Sequence, residues 1–185
     1  MAALSGIAGQ MGAGKVIAMQ KLAGQMNAVG TAGFDAKGMM GNLDGNGISI
    51  ESDGEYEAID METLEFPGFP TDLQAQWMAV MLKAKGNCII KENIYHDRFT
   101  HISELSRMGA DISLKNNIAY IKGVHEIYPA PVMCTDIRAS AGLIIAALCS
   151  KGETEISRIY HIDRGYDGIE NKLTSIGANI RRIKS

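Results

Sequence analysis

Two acids follow threonine in nearly the same setting. Thr71-Asp72 and Thr135-Asp136 each precede an apolar, helix-like stretch that stops at Lys-Gly (Lys85-Gly86 and Lys151-Gly152). Threonine is a good N-cap and an acid in the first turn suits the helix dipole, so the plain reading is helix initiation. The chemical reading is a carboxylate held at the mouth of a buried helix, able to accept or orient a substrate proton. Three arginines bear on the choice. Arg98, Arg138 and Arg164 fall near expected helix N-termini, where a cation is disfavoured. A guanidinium beside free backbone N–H groups forms a site for phosphate or carboxylate. The alternative is local pairing with Asp97, Asp136 and Asp163.

Other chemistry-bearing patterns are weaker. Gly9 to Val16, "GQMGAGKV", matches a phosphate-cradling loop except at its end, where Val16 stands in place of the hydroxyl that would hold magnesium. No apolar strand ending in Asp follows to supply a second ligand, so a P-loop nucleotide binder is the lesser alternative. His96, His101, His125 and His161 have no metal-ligand spacing and read as surface or hydrogen-bonding residues. No motif calls for a metal or a cofactor. Cys88, Cys134 and Cys149 are odd in number and flanked by apolar residues, which suggests buried thiols in a reducing compartment.

The 185 residues suit one domain with a sizeable core, and 46% hydrophobic with 21% charged residues is ordinary for a soluble globular chain. A net charge of -3 gives no general reason to expect nucleic acid or an anionic membrane as partner. No apolar run approaches the ~20 residues of a membrane span, and no signal peptide is recognisable. A cytoplasmic protein is expected.

An internal repeat must position these residues. Thr71-Asp72 recurs at Thr135-Asp136, and the same shift carries Ile48-Ser49-Ile50 onto Ile112-Ser113-Leu114. "NIYHDRF" (Asn93 to Phe99) is echoed by "RIYHIDRG" (Arg158 to Gly165), and "MGADI" by "IGANI". The unit reads helix, strand, helix, strand, with one further strand before the next Thr-Asp. The stretch after Asp136, to Cys149, is apolar nearly all round and is expected to be buried on every side; that after Asp72 is similar, with Trp77 and its methionines in the core. The second helix of each unit is amphipathic, through Phe99, Ile102, Leu105 and Met108, and through Tyr166, Ile169, Leu173 and Ile176. Each stops at a glycine, Gly109 or Gly177. Buried helices with sheets outside are implied. Residues 1–47 hold 11 of the 21 glycines and six of the 11 methionines, and read as a degenerate first repeat or a flexible segment. Residues 48–185 form the main domain, with two clear repeats.

"FPGFPTDLQAQ", "ENIYHDRF", "ELSRMGADI", "APVMCTDIRASAGLIIAAL" and "SRIYHIDRGYDGIENKLTSIGANI" together resemble the C-terminal domain of the UDP-N-acetylglucosamine 1-carboxyvinyltransferases, in the enolpyruvyl transferase family. The resemblance runs from Phe66 to Lys184. It implies an inside-out α/β domain of repeated βαβαββ units, and it accounts for the doubled phrase, since Thr-Asp opens the same helix in successive repeats.

The resemblance also implies a reaction. The 3-hydroxyl of UDP-N-acetylglucosamine attacks the central carbon of phosphoenolpyruvate, and phosphate leaves to give the enolpyruvyl ether used in peptidoglycan synthesis. By motif match Asp72 is the carboxylate contacting the sugar hydroxyl and a candidate base, and Ile94 offers a backbone contact to the nucleotide sugar. Arg138 and Arg164 match arginines around phosphoenolpyruvate, Arg98 lies in the same basic cluster, and Asp136 matches a site carboxylate. The family's cleft lies between two domains. Its N-terminal Lys-Asn pair and its mobile proton-transfer loop have no counterpart here. A complementary N-terminal domain or second chain is therefore expected for catalysis; a non-catalytic binding or scaffold module with the same fold is the other reading.

Overall fold

A computed structural model describes the backbone of residues 40–44 and 47–51 and the full structure of residues 55–183. The Gly/Met-rich stretch and the Gly9–Val16 loop lie almost wholly outside the described residues. The first described elements are a hairpin of β1 (Met40–Asp44) and β2 (Gly47–Glu51), antiparallel, with Asp44 opposite Gly47.

A complete βαβαββ unit follows. It comprises β3 (Met61–Glu62), α1 (Gln74–Met81), β4 (Asn87–Lys91), α2 (Ile102–Arg107), β5 (Asp111–Lys115) and β6 (Ile118–Lys122). Its sheet runs β3-β4-β6-β5, with β3 parallel to β4 and the other pairs antiparallel. The next unit begins the same way, with β7 (Val132–Met133) parallel to β8 (Ile156–Ser157), and α3 (Ile137–Cys149) between them. It continues through one-turn α4 (Tyr160–Asp163) and α5 (Ile169–Ser175). The stretch after Gly177 echoes β5 in sequence, but no ladder forms there among the described residues. A strand needs a paired neighbour, and the "IGANI" segment meets none.

The two Thr-Asp helices form the core. All eight residues of α1 are buried, and none of the thirteen in α3 is exposed, although six are only half-buried. A Cβ built on Gly142 would stand 2.7 Å from the Ala75 carbonyl oxygen, so glycine is what lets α3 press against the α1 backbone. Met78, Met81, Leu82, Ile90, Leu105, Met108, Ile121 and Leu143 are fully buried around this contact. Each such side chain contributes roughly 1.5–3 kcal/mol. Trp77 belongs to the same core. The sheet covers it from outside through the alternation of β6, with Ala119 and Ile121 inward and Tyr120 outward.

Both amphipathic helices stop in the way glycine allows. Gly109 (φ 89°) and Gly177 (φ 96°) are left-handed. The Ala110 and Ala178 N–H groups donate to the Leu105 and Leu173 carbonyls, and the two glycine N–H groups to Ser106 and Thr174, which is the Schellman pattern in both copies. Cys88 and Cys134 are buried and Cys149 half-buried. Among the described residues no helix is long and apolar enough to cross a membrane.

Candidate functional site

The two Thr-Asp phrases open equivalent helices but do different work. Asp136 is itself the N-cap of α3, where Thr135 was expected. Its Oδ1 accepts from the Arg138 and Ala139 N–H groups at 2.8 and 3.0 Å, while Thr135 shares a hydrogen bond with Thr100. Asp72 caps nothing. It sits in a 3-10 turn, Thr71–Leu73, ahead of α1, and the Thr71 hydroxyl donates to Glu92.

The Asp72 carboxylate instead receives two arginines. Arg98 Nη1 lies 2.6 Å and Arg138 Nε 2.9 Å from its Oδ1. The pairing with sequence neighbours is thereby replaced, for Arg98 and Arg138, by a single acid from the other phrase. Partial burial would raise the Asp72 pKa, but the hydrogen bonds and charges of Arg138 and Arg98 outweigh it and hold the carboxyl below its ordinary value. In this state Asp72 is an acceptor, and its Oδ2 carries no hydrogen bond among the described residues. Arg98 also stacks over the Tyr95 ring at 5.3 Å.

Arg164 departs from expectation. It does not begin a helix; it is the C-cap of α4, five residues ahead of α5. A helix start was expected near Arg164, but Gly168 at φ 56° holds the N-cap of α5 and places that start five residues on. Asp163 pairs with Arg182, which also grips Glu170, so Arg164 is exposed and has no ion pair among the described residues. Its neighbour Gly165 packs on the first residue of α3, where a Cβ would meet Ile137 Cγ2 at 2.8 Å. The Arg164 backbone thus lies beside the helix start that carries Arg138.

Ile94 is half exposed, and its N–H is turned inward onto Glu92 at 2.9 Å. Its carbonyl oxygen accepts no hydrogen bond among the described residues. Asp72, Arg98 and Arg138 therefore form one contiguous cluster, with Asp136 and the Arg164 backbone at the adjoining α3 start. A groove of about 860 Å³, walled by Ile144, Leu148, Ile156, Ile162 and Ile169, contains none of these five residues or Ile94.

Two buried groups escaped the sequence reading. His101 is buried with both ring nitrogens unpartnered among the described residues, not at the surface or hydrogen-bonded as expected; burial lowers its pKa to about 4, with Asp136 opposing. Glu92 is fully buried and accepts four hydrogen bonds. A signal for Glu92 exists: Cys88, Ile90 and Glu92 alternate along and just beyond β4, all on the buried face.

The family model of EPSP synthase (3-phosphoshikimate 1-carboxyvinyltransferase) matches residues 12–173. The chain belongs to the EPSP synthase family. A UDP-N-acetylglucosamine 1-carboxyvinyltransferase from Desulfatibacillum aliphaticivorans is 53% identical over 141 residues, covering 76% of this chain and 34% of that protein. One from Magnetococcus marinus is 57% identical over 130 residues, covering 70% of this chain and 31% of that protein. The chain thus spans about a third of the length of these relatives. The enolpyruvyl transferase NikO from Streptomyces tendae superposes with a TM-score of 0.74 at 24% identity, over 92% of this chain and 39% of that one. That likeness establishes the fold, an EPSP-synthase-family domain of βαβαββ units with helices inside.

Proposed function

We propose that this chain supplies one side of an active site that transfers enolpyruvyl from phosphoenolpyruvate to the 3-hydroxyl of UDP-N-acetylglucosamine, in the cytoplasm, toward peptidoglycan. The observation that carries the reading is the Asp72–Arg98–Arg138 cluster, built at the start of two buried helices in a chain whose relatives bear that enzyme's name.

The roles follow from the atoms left free. Asp72 Oδ2 accepts the sugar hydroxyl and orients its oxygen toward the central carbon of phosphoenolpyruvate. The Ile94 carbonyl accepts a donor from the nucleotide sugar. Arg138 and Arg164, with Arg98 beside them, hold the phosphate and carboxylate, because guanidinium pairs both ions with two parallel hydrogen bonds. Asp136 keeps the α3 start, and so Arg138, in place. The carbon–oxygen bond to the sugar forms and that to phosphate breaks, while the hydroxyl proton leaves by way of an acceptor and ends on the released phosphate. Asp72 serves as base only if an incoming anion draws the arginines away, since they hold its pKa down.

The other side of the site comes from a complementary N-terminal domain, in the same polypeptide or a second chain. Calorimetric titration of UDP-N-acetylglucosamine into the purified chain tests the reading. Saturable binding that Asp72→Asn weakens is expected; no binding, alone or with the complementary domain, would overturn it.

A further inference from the structure

Glu92 has no solvent exposure, and among the described residues no cation reaches its carboxylate within hydrogen-bonding distance. Taking such a group out of water is costly unless its lone pairs are satisfied. Four donors satisfy them. Oε1 accepts from the Thr63 hydroxyl at 2.7 Å and from the Ile94 and Tyr95 N–H groups at 2.9 and 3.0 Å, and Oε2 accepts from the Thr71 hydroxyl at 2.9 Å. Thr63 Oγ1 in turn accepts from the Asn93 N–H. The backbone of Glu92 is pinned too, by paired hydrogen bonds with Asn117.

The donors come from segments far apart in sequence. Thr71 immediately precedes Asp72. Ile94 and Tyr95 begin the turn that ends at Arg98, whose N–H donates to the Tyr95 carbonyl and whose guanidinium lies over the Tyr95 ring. The turn before α1 and the loop after β4 are therefore joined through one carboxylate, and the Asp72–Arg98 ion pair closes the same junction from outside. Because Glu92 takes the Tyr95 N–H, the Ile94–Tyr95 peptide is fixed, with the Ile94 carbonyl left unused among the described residues.

We infer that Glu92 is a positioning residue, which sets the Asp72 carboxylate, the Ile94 carbonyl and the Arg98 guanidinium relative to one another without itself meeting a ligand. Its relevance to the sugar rests on the function proposed above; its hold on Asp72 does not.

The test uses the full chain and two readouts. The first is the pH titration of the Asp72 carboxyl by carbon NMR, which needs no ligand. The second is the calorimetric affinity for UDP-N-acetylglucosamine. Thr71→Val removes only the bond to Oε2, and Glu92→Gln puts an amide NH2 in place of one acceptor oxygen while keeping the shape. Thr71→Val is expected to move the Asp72 titration upward, toward an ordinary carboxylate, and both variants to weaken sugar-nucleotide binding roughly tenfold. Thr71→Ser, which keeps the hydroxyl, should restore both. A folded Thr71→Val variant with wild-type Asp72 titration overturns the inference, even if its thermal stability falls. A shifted titration with unchanged affinity overturns its link to the ligand. If the wild-type chain binds no sugar nucleotide, alone or with the complementary domain, yet Thr71→Val still moves Asp72, the positioning stands and the proposed function fails.

Discussion

Arg138 Nε lies 2.9 Å from Asp72 Oδ1, so the second Thr-Asp phrase delivers its arginine to the acid of the first. The two Thr-Asp phrases are 64 residues apart in sequence and adjacent in space because α1 and α3 press together through Ala75 and Gly142. Packing chosen by apolar residues thus assembles the charged site. Duplication alone would give two identical caps. Here Asp136 keeps the capping role, which leaves Asp72 free to face solvent and the arginines.

Replacement of Asp72 by Asn should separate function from stability. Exposed pairs of this kind contribute about 0–1 kcal/mol, so melting of Asp72→Asn should stay within a few degrees of wild type at neutral pH. With the complementary domain present, turnover should fall by about 10²-fold or more. Arg138→Ala should raise the pKa of Asp72, since it removes the strongest influence lowering it. The sign for stability follows. Asp72 is depressed in the fold, so its contribution is present above the unfolded pKa and is lost as pH falls through the folded value. Wild-type turnover in Asp72→Asn would leave Asp72 as a structural ion-pair partner.

His101 predicts the acid limb of the stability curve. Its ring is buried and neutral, with a folded pKa of about 4 against an ordinary 6.5. Between those values the unfolded chain binds the extra proton, so stability falls as pH drops from about 6.5 toward 4. The loss from this group alone reaches about 3 kcal/mol at most. Thermal melts of His101→Phe across that range should be flatter than wild type; the same slope in both would place the acid sensitivity elsewhere.

Local patterns carried most of the fold. The all-round apolar run after Asp136, the alternation in β6 and the glycine stops at 109 and 177 each depend on residues close in sequence, and each is found where expected. Charge pairing was less legible, because Asp72 meets Arg98 and Arg138 across 26 and 66 residues. Immediate neighbours such as Asp97 and Asp163 looked like partners only because they were near in the chain. The helix start falls five residues beyond Arg164 for a local reason, the left-handed Gly168 at the N-cap of α5. Glu92 was legible in principle, since it continues the inward phase of Cys88 and Ile90, but a charged residue at the end of a strand reads first as a surface residue.

Gly142→Ala tests the contact that brings the two helix starts together. In an exposed helix this change stabilises by about 1 kcal/mol. Here the added carbon would meet the Ala75 backbone at 2.7 Å, and backbone cannot swing aside as a flexible side chain can. Overpacking of this kind costs about 1–3 kcal/mol, so the melting temperature should fall. If α3 shifts to relieve the clash, Arg138 moves with it, and the Asp72 titration should move upward in the same variant. A higher melting temperature with an unchanged Asp72 would show that the helices tolerate a wider spacing.

The chain by itself should not release phosphate from phosphoenolpyruvate in the presence of UDP-N-acetylglucosamine. It holds the candidate acceptor and the arginines proposed to bind anions, whereas the resemblance places the partner lysine and the proton-transfer loop in the other domain. Enclosing two reactants in near-attack geometry can be worth ~7–11 kcal/mol, and a cluster whose Asp72 side chain is 58% exposed encloses neither. Water competes there with every hydrogen bond the arginines could make to developing charge. Addition of a separately expressed N-terminal domain should restore sugar-dependent phosphate release, and Arg138→Ala or Arg164→Ala should abolish most of it. Release by the chain alone, dependent on the sugar and lost in Asp72→Asn, would mean that the described cluster is a complete site.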